Sequence, residues 1–505
     1  MDTRDQADGT GDATGQRPET AGANARRARE VAAALPARLP RHSALIVGLV
    51  STGAFVGQLD ATIVQLALPT LARTFDAPLE HVSWVSLAYL VAFAACLPVF
   101  GRLCQMYGRK TLYLAGYVLF VGASALCAMA PDLGSLIAAR VAQGMGGALL
   151  GANSIAILVS SVPEESRGRA LGVFAAAQAV GMSAGPAVGG VVLGLFGWPW
   201  IFWLTVPFGI VAAAVGWLAL PQTGGTRADQ GFDWMGALLL APALVLLVRA
   251  LNHAAAWGLT SVETLGSFAA AALLFAVLVR QERRAPSPLV DLRLFASPGF
   301  SPGAAAVVLA YAMLYAMFFL MSFLLEHGYG DRAWAAGARL AIIPVVLGIV
   351  APFSGGLSTR LGIRVLGLAG MGLCGLALAL LSIVLADPDA NRMLDSVAFA
   401  VFGAGLGLFV APNNHATLAA APTALATQAG ALLNLMRVLG TSLGVAGATS
   451  TLSLGIAGAI GRHADTPVTG PALIVAVESG LALVAAMAFA AALLCVVRRR
   501  PAPQA

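Results

Sequence analysis

The stretch ALIVGLVSTGAFVGQLDATIVQLALPT, Ala44–Thr70, carries one charged residue, Asp60, in 27 positions. At about 1.5 Å per residue, a helix of this length exceeds the roughly 30 Å hydrocarbon core of a bilayer. Lipid offers no partner to backbone N–H and C=O groups, so an apolar run of this kind crosses a membrane as a helix. The same reading, worked outward, predicts thirteen further spans at 82–101, 111–130, 134–160, 170–194, 198–220, 234–252, 262–280, 300–325, 334–356, 365–386, 395–420, 427–456 and 473–497.

Composition agrees with fourteen spans. The 505 residues are 58% hydrophobic and 11% charged, with a mean hydropathy of +0.82, which leaves too few charges to coat soluble domains. The net charge of +6 comes from single basic residues between apolar runs, without a basic stripe interleaved with aromatics, so no nucleic-acid partner is expected. Cys96, Cys104, Cys127, Cys374 and Cys495 lie in or beside predicted helices without metal-ligand spacing, so neither a disulfide framework nor a metal site is expected.

Basic loops are retained in the cytoplasm, so Lys and Arg report orientation. With the N-terminus inside, 22 of the 30 basic residues fall in inner segments, four in outer loops (Arg73, Arg332, Arg392, Arg462) and four within spans (Arg140, Arg249, Arg339, Arg437). This predicts a multi-pass protein with both termini cytoplasmic. One Lys against 29 Arg suggests a GC-rich bacterial genome and hence a bacterial inner membrane.

Five regions are expected: a disordered cytoplasmic tail at 1–43, a six-helix bundle at 44–220, two inserted helices with a cytoplasmic linker at 221–299, a second six-helix bundle at 300–497, and a short tail at 498–505. Ala25–Arg41, with five arginines, is either a solvated tail or an interfacial segment on anionic lipid. Two turns hint at an internal repeat, GRLCQMYGRK (Gly101–Lys110) and GGLSTRLGIR (Gly355–Arg364), as expected of carriers built from two halves.

The motifs then resemble, in order along the chain, those of the major facilitator superfamily, and within it the fourteen-span drug:proton antiporters. LDATIVQLALP (Leu59–Pro69) looks like that family's acidic motif in helix 1, and Gly101, Gly108, Arg109 and Lys110 fall in its cytoplasmic loop motif. LIAARVAQGMGGA (Leu136–Ala148) resembles its arginine motif in helix 4, and GMSAGPAVGG (Gly181–Gly190) the antiporter signature in helix 5. GWPWIFWLTVPFG (Gly197–Gly209) and FDWMG (Phe232–Gly236) also look like this subfamily. The chain departs from the pattern at Gln105 and Thr359, where the family usually carries aspartate, and at Pro199 and Thr205, in place of arginine and asparagine. The resemblance implies an all-α major facilitator fold of fourteen helices, two six-helix bundles with two helices inserted.

Polar groups inside spans are the candidate site residues, because they are expensive there and persist when they face a cavity or a partner. Asp60 is the sharpest, since a carboxylate in a low-dielectric cavity can bind and release a proton; the alternative is a structural, hydrogen-bonded aspartate. Arg140, with Gln143 three residues on, can support proton transfer or organise neighbouring helices. Gly181, Gly185, Gly189 and Gly190 with Pro186 make a small-residue face and a bend in helix 5, read as packing and, through the resemblance, as a seal between states. Asn413, Asn414, His415, Asn434 and Arg437 can line a path or pack helices, and Glu326 and Glu478 lie shallow enough to be wetted. Gln178 and Met182, with Phe93, Phe174, Met313, Met317 and Phe318, would suit an adaptable apolar pocket, or are ordinary packing.

There is no G-x-x-x-x-G-K-[ST] loop, so no nucleotide cofactor is expected and energy would come from an ion gradient. The leading expectation is a monomeric secondary exporter of hydrophobic or cationic small molecules, drugs or antibiotics, in exchange for protons. The alternatives are a dedicated exporter of one endogenous metabolite and, far behind, a polytopic membrane enzyme, which the dispersed histidines disfavour.

Overall fold

A computed structural model of the protein describes residues 41–221, 232–286, 288–385, 388–422, 425–460 and 471–498. Most of the tail expected at 1–43, all but Arg41 of the interfacial stretch, residues 222–231 of the inserted region, and all but Arg498 of the C-terminal tail lie outside the described residues. Among the described residues, fourteen helices are long and apolar enough to cross a membrane. In chain order they are α1 (His42–Thr74), α2 (Leu79–Tyr107), α3 (Arg109–Ala128), α4 (Leu133–Ser160), α5 (Glu164–Phe196), α6 (Pro199–Ala219), α7 (Trp234–Trp257), α8 (Val262–Glu282), α9 (Phe300–Gly328), α10 (Ala333–Leu361), α11 (Ile363–Val384), α12 (Met393–Ala419), α13 (Gln428–Gly458) and α14 (Leu473–Val497). The described residues contain no strand.

Local chemistry sets the breaks. Asp132 opens α4 with a capping box: its carboxylate accepts from the Ser135 N–H at 2.8 Å, and Ser135 reaches back to the Asp132 backbone. Asp233 of the FDWMG motif caps α7 by accepting from the Gly236 N–H at 2.8 Å, and Ser261 caps α8 through Thr264. The turn expected across Gly101–Lys110 is narrower than the motif. α2 runs on to Tyr107, because nothing between Pro98 and Gly108 stops a helix, and the reversal is made at Gly108 alone, with φ 98° and ψ 144°. Gly362 does the same between α10 and α11 with φ 82° and ψ 149°. An L side chain rarely adopts either conformation. Each glycine follows a helix-interior proline by ten residues, Pro98 and Pro352.

Packing repeats with an offset of eight helices. α1 packs on α5 as α9 does on α13; α2 on α4 as α10 on α12; α3 on α4 and α6 as α11 on α12 and α14. α1 also meets α9, while α5–α10 and α2–α13 form a second reciprocal pair of contacts. α7 lies against α2 and α13, and α8 packs on α7 at the periphery. α9 is the most enclosed span, with Phe300, Met313, Met317, Phe318 and Phe319 fully buried.

Candidate functional site

Asp60 sits on α1 with no exposed surface, and Arg140 on α4 is 1% exposed. Arg140 Nη1 donates to Asp60 Oδ2 at 2.7 Å, and its Nε donates to the Val85 carbonyl of α2 at 2.8 Å. Gln143, one helical turn beyond Arg140 on the same face, bridges the group: its Nε2 donates to Asp60 Oδ1 at 2.9 Å and to Ser124 Oγ of α3 at 2.8 Å. Its Oε1 accepts from Arg140 Nη1. Both donors to the carboxylate come from α4 and satisfy its two oxygens, and the same two side chains tie in α2 through Val85 and α3 through Ser124, so four helices are joined in one group. A buried ion pair of this kind contributes little net stability, but losing one partner leaves an uncompensated charge. Asp60 thus faces partners rather than an open cavity.

The cavity lies one side chain away. The Arg140 guanidinium carbon stands 4.3 Å from the centre of the Tyr89 ring and 5.7 Å from that of Phe202. Tyr89 in turn lines a cavity of about 280 Å³ walled by α1–α6, α9, α12 and α13, as do Gly57 and Ala61, neighbours of Asp60 on α1. Phe93, Tyr117, Phe120, Phe174, Tyr311 and Tyr315 supply its aromatic wall, and Gln178, Asn414, Asn434 and Arg437 its polar groups. It extends toward Ile155 near the end of α4, Leu418 near the end of α12 and Gly430 at the start of α13, the face of the bundle at which α1 begins and α14 ends.

At the opposite face the helices are in contact. A Cβ on Gly181 would collide with the Phe55 carbonyl, one on Gly185 with the Thr62 hydroxyl, and one on Gly189 with the Ile63 side chain, so α1 lies directly on this stripe of α5. Gly190 is pressed against the Ala333 carbonyl, and Gly337 against the Pro186 carbonyl, so the same stretch of α5 also meets the start of α10. Nearby, Glu326 of α9 is reached from α1 by Thr70 Oγ1 at 3.5 Å and by Arg73 Nη2 at 3.6 Å.

The structure distributes the other sequence candidates unevenly. Gln178, Asn434 and Arg437 line the central cavity, with Phe93 and Phe174. Met182, one turn beyond Gln178, is not part of that lining and is buried in the core, and Met313, Met317 and Phe318 are fully buried in α9. Asn413 and His415 are also elsewhere: both line a separate cavity between the ends of α10, α12 and α14, where Asn413 accepts from Arg498 at 2.9 Å and donates to the Gly303 carbonyl at 3.0 Å. A step of one residue turns a helix by about 100°, so Asn414 and not Asn413 faces the centre. Glu478 is exposed. Arg109 Nη1 donates to the Ala156 carbonyl of α4 at 3.4 Å, tying the α2–α3 turn to α4; Gly101 is loosely packed within α2, and Lys110 is half-buried. Arg498, just beyond α14, is held below the usual arginine range by burial.

Tyr89, Tyr311 and Tyr315 were not singled out by the sequence, where aromatics in apolar spans read as packing. A usable signal was the glycine spacing of α4: a Cβ on Gly144 would strike the Tyr89 carbonyl, and one on Gly147 would lie 3.0 Å from the Tyr89 hydroxyl and from Phe93. Glycines that close mark where a neighbouring helix presents large side chains.

The family model of the Major Facilitator Superfamily matches residues 50–445. The chain is 29% identical to the riboflavin transporter RibZ of Clostridioides difficile over 402 residues, 80% of this chain and 86% of that one. It is 30% identical to the multidrug resistance protein Stp of Mycobacterium tuberculosis over 429 residues, 84% and 79% of the two chains. It is also 30% identical to the tetracenomycin C resistance and export protein of Streptomyces glaucescens over 436 residues, 85% and 80%. Among solved structures, an auto-inhibited POT family peptide transporter superposes with a TM-score of 0.65 at 15% identity, covering 92% of this chain and 98% of that one.

Proposed function

Because the chain belongs to the Major Facilitator Superfamily, and so is a multi-pass membrane transporter of small molecules and not an enzyme, we propose that it exports hydrophobic small molecules in exchange for protons by alternating access. The observation that carries this reading is the buried Asp60–Arg140–Gln143 group separated from the central cavity by the Tyr89 ring.

The chemistry runs as follows. Ionised Asp60 compensates Arg140 and holds α1 to α4 through the 2.7 Å contact. Protonation removes that compensation and leaves a buried guanidinium facing Val85 and the Tyr89 and Phe202 rings. Breaking a buried pair by removing one partner costs about 3–5 kcal/mol, enough to shift a two-state equilibrium between carrier conformations. Tyr89 touches both the pair and the cavity, so substrate occupancy and protonation act on one side chain.

We read α1–α6 and α9–α14 as two halves that rock about the cavity, with α7 and α8 as an inserted pair. Support comes from the eight-helix offset in packing and from the paired Pro98–Gly108 and Pro352–Gly362 breaks. The glycine stripe of α5 and the Glu326–Arg73 contact are the seal on the far face. We read the arginine-rich face, where α1 begins and α14 ends, as the cytoplasmic one of a bacterial inner membrane, and so read this as an inward-facing state of a monomeric carrier. Relatives named for multidrug resistance and for tetracenomycin C resistance and export agree with export.

The test is transport by the purified chain in proteoliposomes against a panel of neutral, anionic and cationic polycyclic aromatic dyes. An imposed pH gradient is expected to drive uptake of at least one, with counterflow of protons; movement that persists when an ionophore collapses the gradient contradicts antiport.

A further inference from the structure

The central cavity carries an uncompensated positive charge. Among its described lining residues there is no Asp, Glu, Lys or His, and Arg437 of α13 is the one side chain there that is charged at neutral pH. Its hydrogen-bond partner is the neutral amide oxygen of Asn434, and none of the ion pairs among the described residues includes it. Asp60 does not balance it, because that carboxylate is already matched by Arg140 and hidden from the cavity. A single charge set between low-dielectric walls has its field focused into the cavity they enclose.

The rest of the wall is aromatic. The Arg437 guanidinium lies 5.8 Å from the Tyr311 ring centre, and Tyr89, Tyr315, Phe93 and Phe174 present further rings around about 280 Å³. Aromatic faces favour offset or edge-on contact with flat ring systems, and the tyrosine hydroxyls add hydrogen-bonding groups for oxygen substituents. A guanidinium beside them can pair a carboxylate through two parallel N–H···O bonds, or a phenolate through its one oxygen.

We propose that this cavity selects planar aromatic substrates bearing a negative charge, with Arg437 as their counter-ion. This rests on the export reading above and narrows it: of the hydrophobic or cationic substrates expected from the sequence, a cation finds no carboxylate among the described lining residues, whereas an anionic polycycle finds a partner in Arg437. Asn434 positions the guanidinium, since it holds Arg437 from one helical turn away without neutralising it.

The probes are fluorescein, a xanthene anion, and rhodamine 6G, a xanthene cation of similar skeleton, bound to the purified full chain in nanodiscs of neutral lipid and read by fluorescence polarisation. Fluorescein is expected to bind at least about tenfold more tightly than rhodamine 6G. Arg437→Gln is expected to erase that difference by weakening fluorescein alone. Asn434→Asp, which keeps the arginine but pairs it, is expected to do the same, and so separates loss of charge from loss of packing. Equal or tighter binding of rhodamine 6G by the parent protein, unchanged fluorescein affinity in both variants, or binding of neither probe overturns the proposal. Binding needs no gradient, so a preserved anion preference without pH-driven transport would support this assignment while defeating the export reading.

Discussion

Tyr89 stands between Arg140 and the central cavity: the guanidinium carbon lies 4.3 Å above its ring, and the same residue forms part of the cavity wall with its hydroxyl against Gly147. One side chain therefore separates a fully buried ion pair from the space a substrate would occupy. The barrier is hydrophobic in the ring and polar at the hydroxyl, which lets it exclude water while remaining sensitive to what fills the cavity.

Removing that ring should open the pair to water. Tyr89→Ala is expected to dissipate an imposed pH gradient in proteoliposomes several-fold faster than the parent chain, with no substrate added. Tyr89→Phe, which keeps the ring over Arg140, should remain as tight as the parent. Pyranine fluorescence inside the vesicles reads both, and an equal leak from Tyr89→Ala and the parent would remove Tyr89 from this role.

The pair itself should show strong non-additivity. Arg140→Met strands the Asp60 carboxylate with the Gln143 amide as its remaining donor, a loss of about 3–5 kcal/mol. Adding Asp60→Asn removes the stranded charge and should recover most of that stability without recovering proton coupling. Thermal unfolding of the detergent-solubilised variants measures this double-mutant cycle; independent, additive losses would mean that the two residues do not act as a pair.

The far-face seal makes a steric prediction. Gly337 of α10 has no room for a Cβ against the Pro186 carbonyl of α5. Gly337→Val should therefore force α5 and α10 apart and populate a state open on that face. In a background without the native cysteines, Thr70→Cys is expected to react with a membrane-impermeant maleimide several-fold faster when Gly337→Val is present. No change in labelling would show that this contact is not part of a gate.

Much of this architecture is legible in the chain because lipid imposes a severe rule: runs such as Ala44–Thr70 must be helices. The fourteen spans and the small face of α5 follow from that rule and from residue size. Ends of helices were less legible, since α2 continues through Arg102 and Gln105 until Gly108 permits the reversal. Asp60, Arg140 and Gln143 stood out as polar groups in apolar runs. Their convergence did not, because Asp60 and Arg140 are 80 positions apart and nothing in either helix states which helices touch. Residues of the cavity wall were hardest. Asn413 and Asn414 differ by one position yet face different cavities, and Tyr89 and Tyr315 have the same apolar neighbours in sequence as any packed aromatic.

The central claim is that Asp60 carries the proton that substrate exchange displaces. Its most direct test is proton release from the purified chain in weak buffer, followed with a pH indicator as a neutral dye shown to bind the cavity is added, so that the dye's own charge does not act on the carboxyl. The parent chain should release protons on binding, and Asp60→Asn, which preserves acceptance from Arg140 while holding no titratable proton, should bind the dye and release none. Equal proton release by Asp60→Asn would contradict the account.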